Sequence, residues 1–376
     1  MKRVLIADTA TVTSLGVDTD TLWQNLMKKK TAIKPVQRFK TENYISPYGA
    51  LIESLSDTEN SSMIFTLADL LIEQLSDIPK DSYLFIASTK SGIDVLEKNN
   101  KGQNVPNSQL VMSNLAEYIS KKLELVDSGV IVSSACASST IAVAKGAALI
   151  SSGRVQSVLI CCLDVISEFI FSGFSALQAM SPKPSKPFDI ERKGLTLGEG
   201  AAAILLMSED KLEKENKTKT AELAGWGIAN DAAHITAPAK DGCGLKFAVS
   251  QAISKAEITP DDIDAFSSHG TGTVYNDLME LRVIRDIFNN RDLPTNSIKG
   301  SVGHTLGASG GIEIVLGAKM LDEGIVPATV GLTNPEKEAV GIVSPENQNF
   351  SGKYLISTNS GFGGTNAAVI IKRSYI

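Results

Sequence analysis

The chain has little of what several common architectures need. Its 376 residues hold only four cysteines, Cys136, Cys161, Cys162 and Cys243. Cys161 and Cys162 are adjacent in an apolar run, 158–163, that reads as a buried strand. A disulfide framework is excluded, and a reducing, cytoplasmic compartment is expected. Basic residues are not in excess: 36 Lys and Arg stand against 42 Asp and Glu, a net charge of −6. Nucleic acid and anionic membrane surfaces are therefore poor partners, since both are met by basic patches. No apolar stretch approaches the roughly 20 residues of a membrane-spanning helix. The run after Lys2-Arg3 ends at Asp8, so the N-terminus reads as a first strand rather than a signal peptide. Histidine is scarce too, with only His234, His269 and His304.

What remains is globular composition, 43% hydrophobic and 21% charged, enough to build a large core. At ~150 residues per domain the length implies two domains or one pseudo-duplicated unit. Apolar runs of strand length fall at 4–8, 83–87, 130–133, 158–162, 201–207, 222–228, 265–267, 354–357 and 367–371. Helix-period segments fall at 19–29, 64–75, 109–123, 137–151, 245–256, 276–288 and 311–322. Helices between strands predict an α/β fold with buried sheets. Gly198-Glu199-Gly200-Ala201-Ala202-Ala203-Ile204 is echoed by Gly363-Gly364-Thr365-Asn366-Ala367-Ala368-Val369. Between them lies a charged connector, 208–219. Two halves of similar build are expected, 1–209 and 210–376.

Chemistry-bearing residues gather in four segments. Ser133-Ser134-Ala135-Cys136-Ala137-Ser138-Ser139-Thr140 follows a strand and opens a helix, a setting in which the helix dipole favours a nucleophilic thiolate. A lone cysteine would otherwise read as a small buried hydrophobe. Ser267-Ser268-His269-Gly270-Thr271-Gly272-Thr273 and Lys299-Gly300-Ser301-Val302-Gly303-His304-Thr305 place two imidazoles in Gly-rich loops after strands, the second loop leading to a helix with Glu313. No second histidine lies three or four residues from either, so no metal site is expected. Asn359-Ser360-Gly361-Phe362-Gly363-Gly364-Thr365-Asn366 is neither a phosphate loop nor a dinucleotide fingerprint.

Taken together, and in this order, these segments resemble the β-ketoacyl-acyl-carrier-protein synthases of the thiolase-like condensing-enzyme superfamily, and most closely the two-histidine type I/II group. The likeness also takes in Pro187-Phe188-Asp189 with Arg192 and Gly194, Gly198-Glu199-Gly200, and the stretch from Asp231 through His234 to Pro238. It implies a thiolase-like fold of two pseudo-duplicated halves in α-β-α-β-α layers. Cys136 would be the acyl-accepting nucleophile and His269 and His304 the catalytic pair, with Lys299 and Glu313 in support. Phe362 would be the gating aromatic, its backbone N–H forming the oxyanion hole with that of Cys136. Asp231 and His234 would belong to a mobile loop at the entrance. The resemblance further implies decarboxylative condensation of an acyl thioester with a malonyl thioester. It implies no metal or organic cofactor, substrates borne on the phosphopantetheine of an acyl-carrier protein, and a homodimer or a heterodimer with a second ketosynthase-like chain.

Three features depart from that pattern. The stretch from Ser88 to Ser133 is short for the family, Ser360 runs directly into Gly361 without the usual extra Phe, and Asp57 and Glu59 stand where basic docking residues are usual. Carrier docking is therefore expected on Lys186, Arg192 and Lys193. A non-catalytic chain-length partner is the alternative reading, although such subunits typically lack the nucleophile. A degradative thiolase would want a second cysteine near the C-terminus, and 361–366 contains none.

Overall fold

The computed structural model describes residues 2–55 and 60–374; Asp57 and Glu59 lie outside them. Ten strands form one mixed sheet: β1 (Val4–Thr13), β2 (Tyr83–Ala87), β3 (Val130–Val132), β4 (Ser157–Asp164), β5 (Gly200–Ser208), β6 (Ala221–Asn230), β7 (Ile263–Ser267), β8 (Thr295–Asn296), β9 (Tyr354–Gly361) and β10 (Thr365–Arg373). The helices are α1 (Thr19–Met27), α2 (Met63–Ile72), α3 (Asp94–Asn100), α4 (Met112–Lys122), α5 (Ser138–Ser151), α6 (Glu168–Ala176), α7 (Glu209–Lys214), α8 (Cys243–Lys255), α9 (Val274–Ile287), α10 (Lys299–Val302) and α11 (Ser309–Glu323).

The strand order is β8-β7-β9-β10-β6-β1-β5-β4-β2-β3. Adding five to each strand of the first half gives its counterpart in the second, and the halves join where β1 meets β6. Matched ladders place Asp164 opposite Gly200 and Asn359 opposite Ala367. The structural repeat is thus shifted by two residues from the sequence echo. The shift leaves strand faces unchanged, because side chains alternate with a period of two.

Both sheet faces are covered, which is why the strands read as continuous apolar runs. In β4, Leu159, Cys161 and Leu163 pack outward with α2 and α4, while Val158, Ile160 and Cys162 pack inward with α5 and α11. Cys161 and Cys162 therefore face opposite layers, and all four cysteines are free. α8 and α9 cover the outer face of the second half through Leu245, Val249, Met279 and Ile284. The layers run α2/α4, first half-sheet, α5/α11, second half-sheet, α8/α9. α5 and α11 approach closely because they are rich in small residues; a Cβ on Gly310 would collide with Asn359 and Thr140.

The expected connector 208–219 contains the short helix α7, capped by Ser208. It is not wholly a surface feature. Lys211 is buried, its ammonium held by Asp81 and Glu215. No helix among the described residues is long and apolar enough to cross a membrane.

Candidate active site

The middle layer delivers the reactive groups. Cys136 sits in the turn between β3 and α5, one residue before the N-cap Ala137. The turn is sharp: Ala135 takes φ +48°, unusual for a residue with a side chain. Ser138 Oγ steadies it, accepting from Ser134 N–H at 2.8 Å and donating to Ala135 O at 2.6 Å. His269 follows β7, and His304 follows α10. The two rings stand edge to face with centroids 5.1 Å apart. Nε2 of His304 lies 3.1 Å from Sγ of Cys136. All three side chains are buried, at 7, 2 and 1% exposure.

Neighbouring donors fix how each ring carries its hydrogen. Nδ1 of His304 meets the Leu306 N–H at 3.2 Å and the Ser309 hydroxyl at 3.0 Å. Nδ1 of His269 meets the Asn359 side-chain amide nitrogen at 3.1 Å. A nitrogen facing an N–H donor must accept, so in each neutral ring the hydrogen sits on Nε2 (assigned from this network). Burial and the Lys299 charge hold both imidazoles well below their usual pKa, so they are neutral at pH 7. The site thus presents two N–H donors, a pair able to stabilise an oxyanion or enolate.

The cysteine and the two histidines could also be read as metal ligands, since their donor atoms lie within 4.8 Å of one another. Metal-bound histidine donates from its other ring nitrogen. Here those other nitrogens face N–H groups, so the donor set is arranged for hydrogen bonding instead.

Lys299 and Glu313 form a buried ion pair of 2.5 Å. Lys299 also donates to the carbonyl of His269. Glu313 Oε2 accepts from Asn359 at 2.7 Å, and Asn359 in turn serves His269 and accepts from Thr140. A relay thus runs from Lys299 through Glu313 and Asn359 to His269. Asn359 stood in a segment singled out from sequence, but its role was not. Glu280 was missed as well. Its carboxylate accepts from the His269 and Gly270 N–H groups and from Asn276, and burial pushes its pKa up to about 7. The available signal was Asn276, Asp277 and Glu280, three polar residues within one turn of α9, which continues with Leu281, Val283 and Ile284.

The cysteine differs from the sequence expectation. Burial pushes its pKa up to about 12, against the opposing pull of Lys299 and of the Phe362 and Cys136 backbone N–H groups. Two features explain this. The residue is only 7% exposed, and the nearby Asp164 carboxylate adds to the cost of ionising the thiol. The same two backbone N–H groups are those expected to form the oxyanion hole. The turn packs closely on the cysteine: a Cβ on Gly361 would be 3.2 Å from both Ala135 Cβ and Cys136 N.

A cavity of about 440 Å³ leads to these groups, lined among others by Phe174, Lys193, Asp231, His234 and Phe362. Phe362 stacks on Phe174 with centroids 6.0 Å apart. The Asp231–His234 loop is laced to the Gly-rich turn. Asp231 N–H donates to Gly364 O at 2.7 Å, Gly363 N–H to Ile235 O at 2.6 Å, and Asn366 to Asp231 at 2.8 Å. His234 is exposed, its Nδ1 accepting from the Thr236 and Ala237 N–H groups.

Of the expected docking residues, Lys193 is exposed at the cavity mouth. Lys186 is partly exposed and paired with Glu191 at 2.7 Å. Arg192 is not a docking residue. It is 5% exposed and points inward, donating to Asp189 O at 2.7 Å and to Glu336 at 2.8 Å. Its sequence neighbours Glu191 and Lys193 are both exposed, so Arg192 alone of the three turns inward.

Residues 80–211 match the N-terminal domain of β-ketoacyl synthases, and residues 220–333 match the C-terminal domain. The chain belongs to the β-ketoacyl synthase family. Among curated relatives, a 3-oxoacyl-[acyl-carrier-protein] synthase 2 of Staphylococcus aureus is 28% identical, the match covering 99% of this chain and 98% of the relative. Among solved structures, the ishigamide ketosynthase/chain length factor superposes with a TM-score of 0.89 at 23% identity, covering all of both chains. A type II polyketide ketosynthase in complex with its acyl-carrier protein gives 0.87 at 21% identity, covering 99% of this chain and all of that one. These likenesses confirm the thiolase-like fold. The synthase is thus an acyltransferase-type condensing enzyme of fatty-acid or polyketide biosynthesis.

Proposed function

We propose that this synthase extends carrier-bound acyl chains by two carbons through Cys136, with His269 and His304 as the donors that stabilise the enolate. Cys136 sulfur attacks the acyl thioester, and its proton leaves with the released phosphopantetheine thiol. The backbone N–H groups of Cys136 and Phe362 hold the tetrahedral oxyanion. A malonyl thioester then binds and loses CO2. The enolate oxygen receives the two Nε2–H groups, and its carbon attacks the acyl–Cys136 thioester. The β-ketoacyl carrier leaves, and the expelled Cys136 thiolate takes up a proton from solvent, which restores the thiol. Lys299, Glu313 and Asn359 keep His269 in the donating tautomer. No metal or organic cofactor enters this scheme.

The observation that carries the reading is the convergence of two neutral, Nε2-protonated rings on one sulfur. A non-catalytic chain-length partner has no use for such an arrangement. Lys193 at the cavity mouth suits an acidic carrier, and Phe362, with the Asp231–His234 loop tied to its turn, forms the gate. The sheet ends at the three-residue strand β3, whose Val130 is exposed, an edge fit for pairing with a second ketosynthase-like chain of the same or another kind. Four free thiols support a reducing, cytoplasmic setting.

Mass spectrometry tests the scheme. Acyl-carrier protein should leave an acyl adduct on Cys136 that Cys136→Ser lacks, and added malonyl-carrier should then give a β-ketoacyl product. An adduct elsewhere, or none, would overturn the reading.

A further inference from the structure

The repeat extends into the site itself. Cys136 precedes α5 in the run Ala135-Cys136-Ala137-Ser138. Gly307 precedes α11 in the run Leu306-Gly307-Ala308-Ser309. Both turns carry a positive φ on the residue before, +48° at Ala135 and +52° at Leu306. The strand ladders match as well. Ala87 pairs with Cys162 across β2 and β4, and Ser267 with Ser357 across β7 and β9. Thr89 is thereby the counterpart of His269, and Asp164 the counterpart of Asn359. A mirrored site thus lies across the same central layer, with Gly307 of the second half in place of the nucleophile and Thr89 of the first half in place of the imidazole.

That mirrored site is filled by a carboxylate. Asp164 is 1% exposed. Its oxygens accept from Gly307 N–H at 2.7 Å, Thr89 N–H at 3.0 Å and Ser88 Oγ at 2.9 Å. The Gly307 N–H is one peptide beyond the Leu306 N–H, the group that meets Nδ1 of His304. The backbone of His304 is already held from the other side, its N–H on Thr196 O at 2.7 Å and its carbonyl accepting from Gly198 N–H at 2.9 Å. What remains to be fixed is the returning turn, and Asp164 is the charged group that grips it.

We propose that Asp164 is a positioning residue for the condensation: by holding the Gly307 peptide it keeps the Leu306 N–H on Nδ1 of His304, and so keeps the Nε2–H of that ring aimed at the Cys136 sulfur. Asp164 touches no substrate in this scheme. The inference rests on the condensing role proposed above.

Two variants break the same contact in different ways. Asp164→Asn can present an amide N–H to a backbone N–H, donor against donor. Gly307→Ala leaves the carboxylate in place but sets a Cβ 2.8 Å from its Oδ2. In each, kcat for condensation should fall on the order of 10–100-fold, as expected for a displaced catalytic group. KM for the acyl carrier should stay within a factor of about two, because carrier docking lies elsewhere. In protein labelled with 15N-histidine, the His304 ring resonances should leave the Nε2–H tautomer pattern of the wild type. Folded Asp164→Asn with condensation within about twofold of wild type, or a slowed variant with unmoved His304 resonances, overturns the proposal. If Asp164→Asn does not fold, Gly307→Ala decides by the same two criteria. If the wild type itself makes no β-ketoacyl product, the proposed function fails, and the resonance comparison still decides the role of Asp164.

Discussion

Nε2 of His304 stands 3.1 Å from Sγ of Cys136, across 168 residues of chain. The ring donates and does not accept, because the Leu306 N–H occupies its other nitrogen. That sets the direction of the first test. His304→Ala should still form the acyl–Cys136 adduct but lose condensation by about 10²–10³-fold, the usual cost of one oxyanion donor. Adduct and product are measured separately by mass spectrometry. Unchanged product formation would show that the ring does not serve the enolate.

The buried thiol makes a prediction about pH. With the Cys136 pKa at about 12, the thiolate fraction should rise tenfold per pH unit throughout the neutral and mildly alkaline range. Alkylation of Cys136 by iodoacetamide should therefore climb from pH 7 to 9 by about 100-fold with no plateau, unlike a free thiol that levels off near ~8.5. The linkage has the same sign: the pKa is raised on folding, so this group's contribution to stability is present at neutral pH and is lost as pH rises towards 12. A plateau below pH 9 would show that burial does not raise the thiol, and a flat profile from pH 7 that the resting sulfur is already ionised.

Lys299 and Glu313 are both about 1% exposed. Lys299→Met would leave a carboxylate sealed away from water without its cation, a loss of about 3–5 kcal/mol in denaturant unfolding. Lys299→Met combined with Glu313→Leu should recover part of it, since no lone charge then remains. A single variant as stable as wild type would show that water reaches the pair.

Arg192 and Lys193 are adjacent in sequence and opposite in consequence. Lys193→Glu should raise KM for an acidic carrier by about 3–10-fold, with an unchanged melting temperature. Arg192→Glu would place a carboxylate against Glu336 and near Asp277, and should lower the melting temperature by several degrees. Equal effects of both variants on KM, with no change in stability, would return Arg192 to the docking surface.

Much of this was legible locally. The run 83–87 is β2 to the residue, and 19–29 and 137–151 are helices to within two residues at either end. Where local pattern stopped, long-range pairing decided. The apolar run 4–8 continues as β1 to Thr13, because Ala10 and Thr11 pair with Ala203 and Ala202 of β5 after a bulge. The segment 109–123 breaks at Val111 into a short 3₁₀ turn and α4. Helices α3 and α6 gave no clear periodicity. Cys136 was readable from its turn of small residues opening a helix, and His269 and His304 from the Gly-rich turns that carry them. Asn359 and Asp164 were not, since their meaning lies in partners 90 and 143 residues away. Arg192 misled for a related reason: a charge in a Lys-rich loop reads as exposed until Glu336 is folded against it.

The central layer has one more consequence. The sulfur is contributed by the first half of the polypeptide, whereas both rings and the Asn359 amide come from the second, and Asn359 lies in the penultimate strand. During synthesis the nucleophile therefore emerges long before anything that could use it. The set of sulfur, rings and amide is incomplete until the last two strands have docked, so its assembly coincides with completion of the fold.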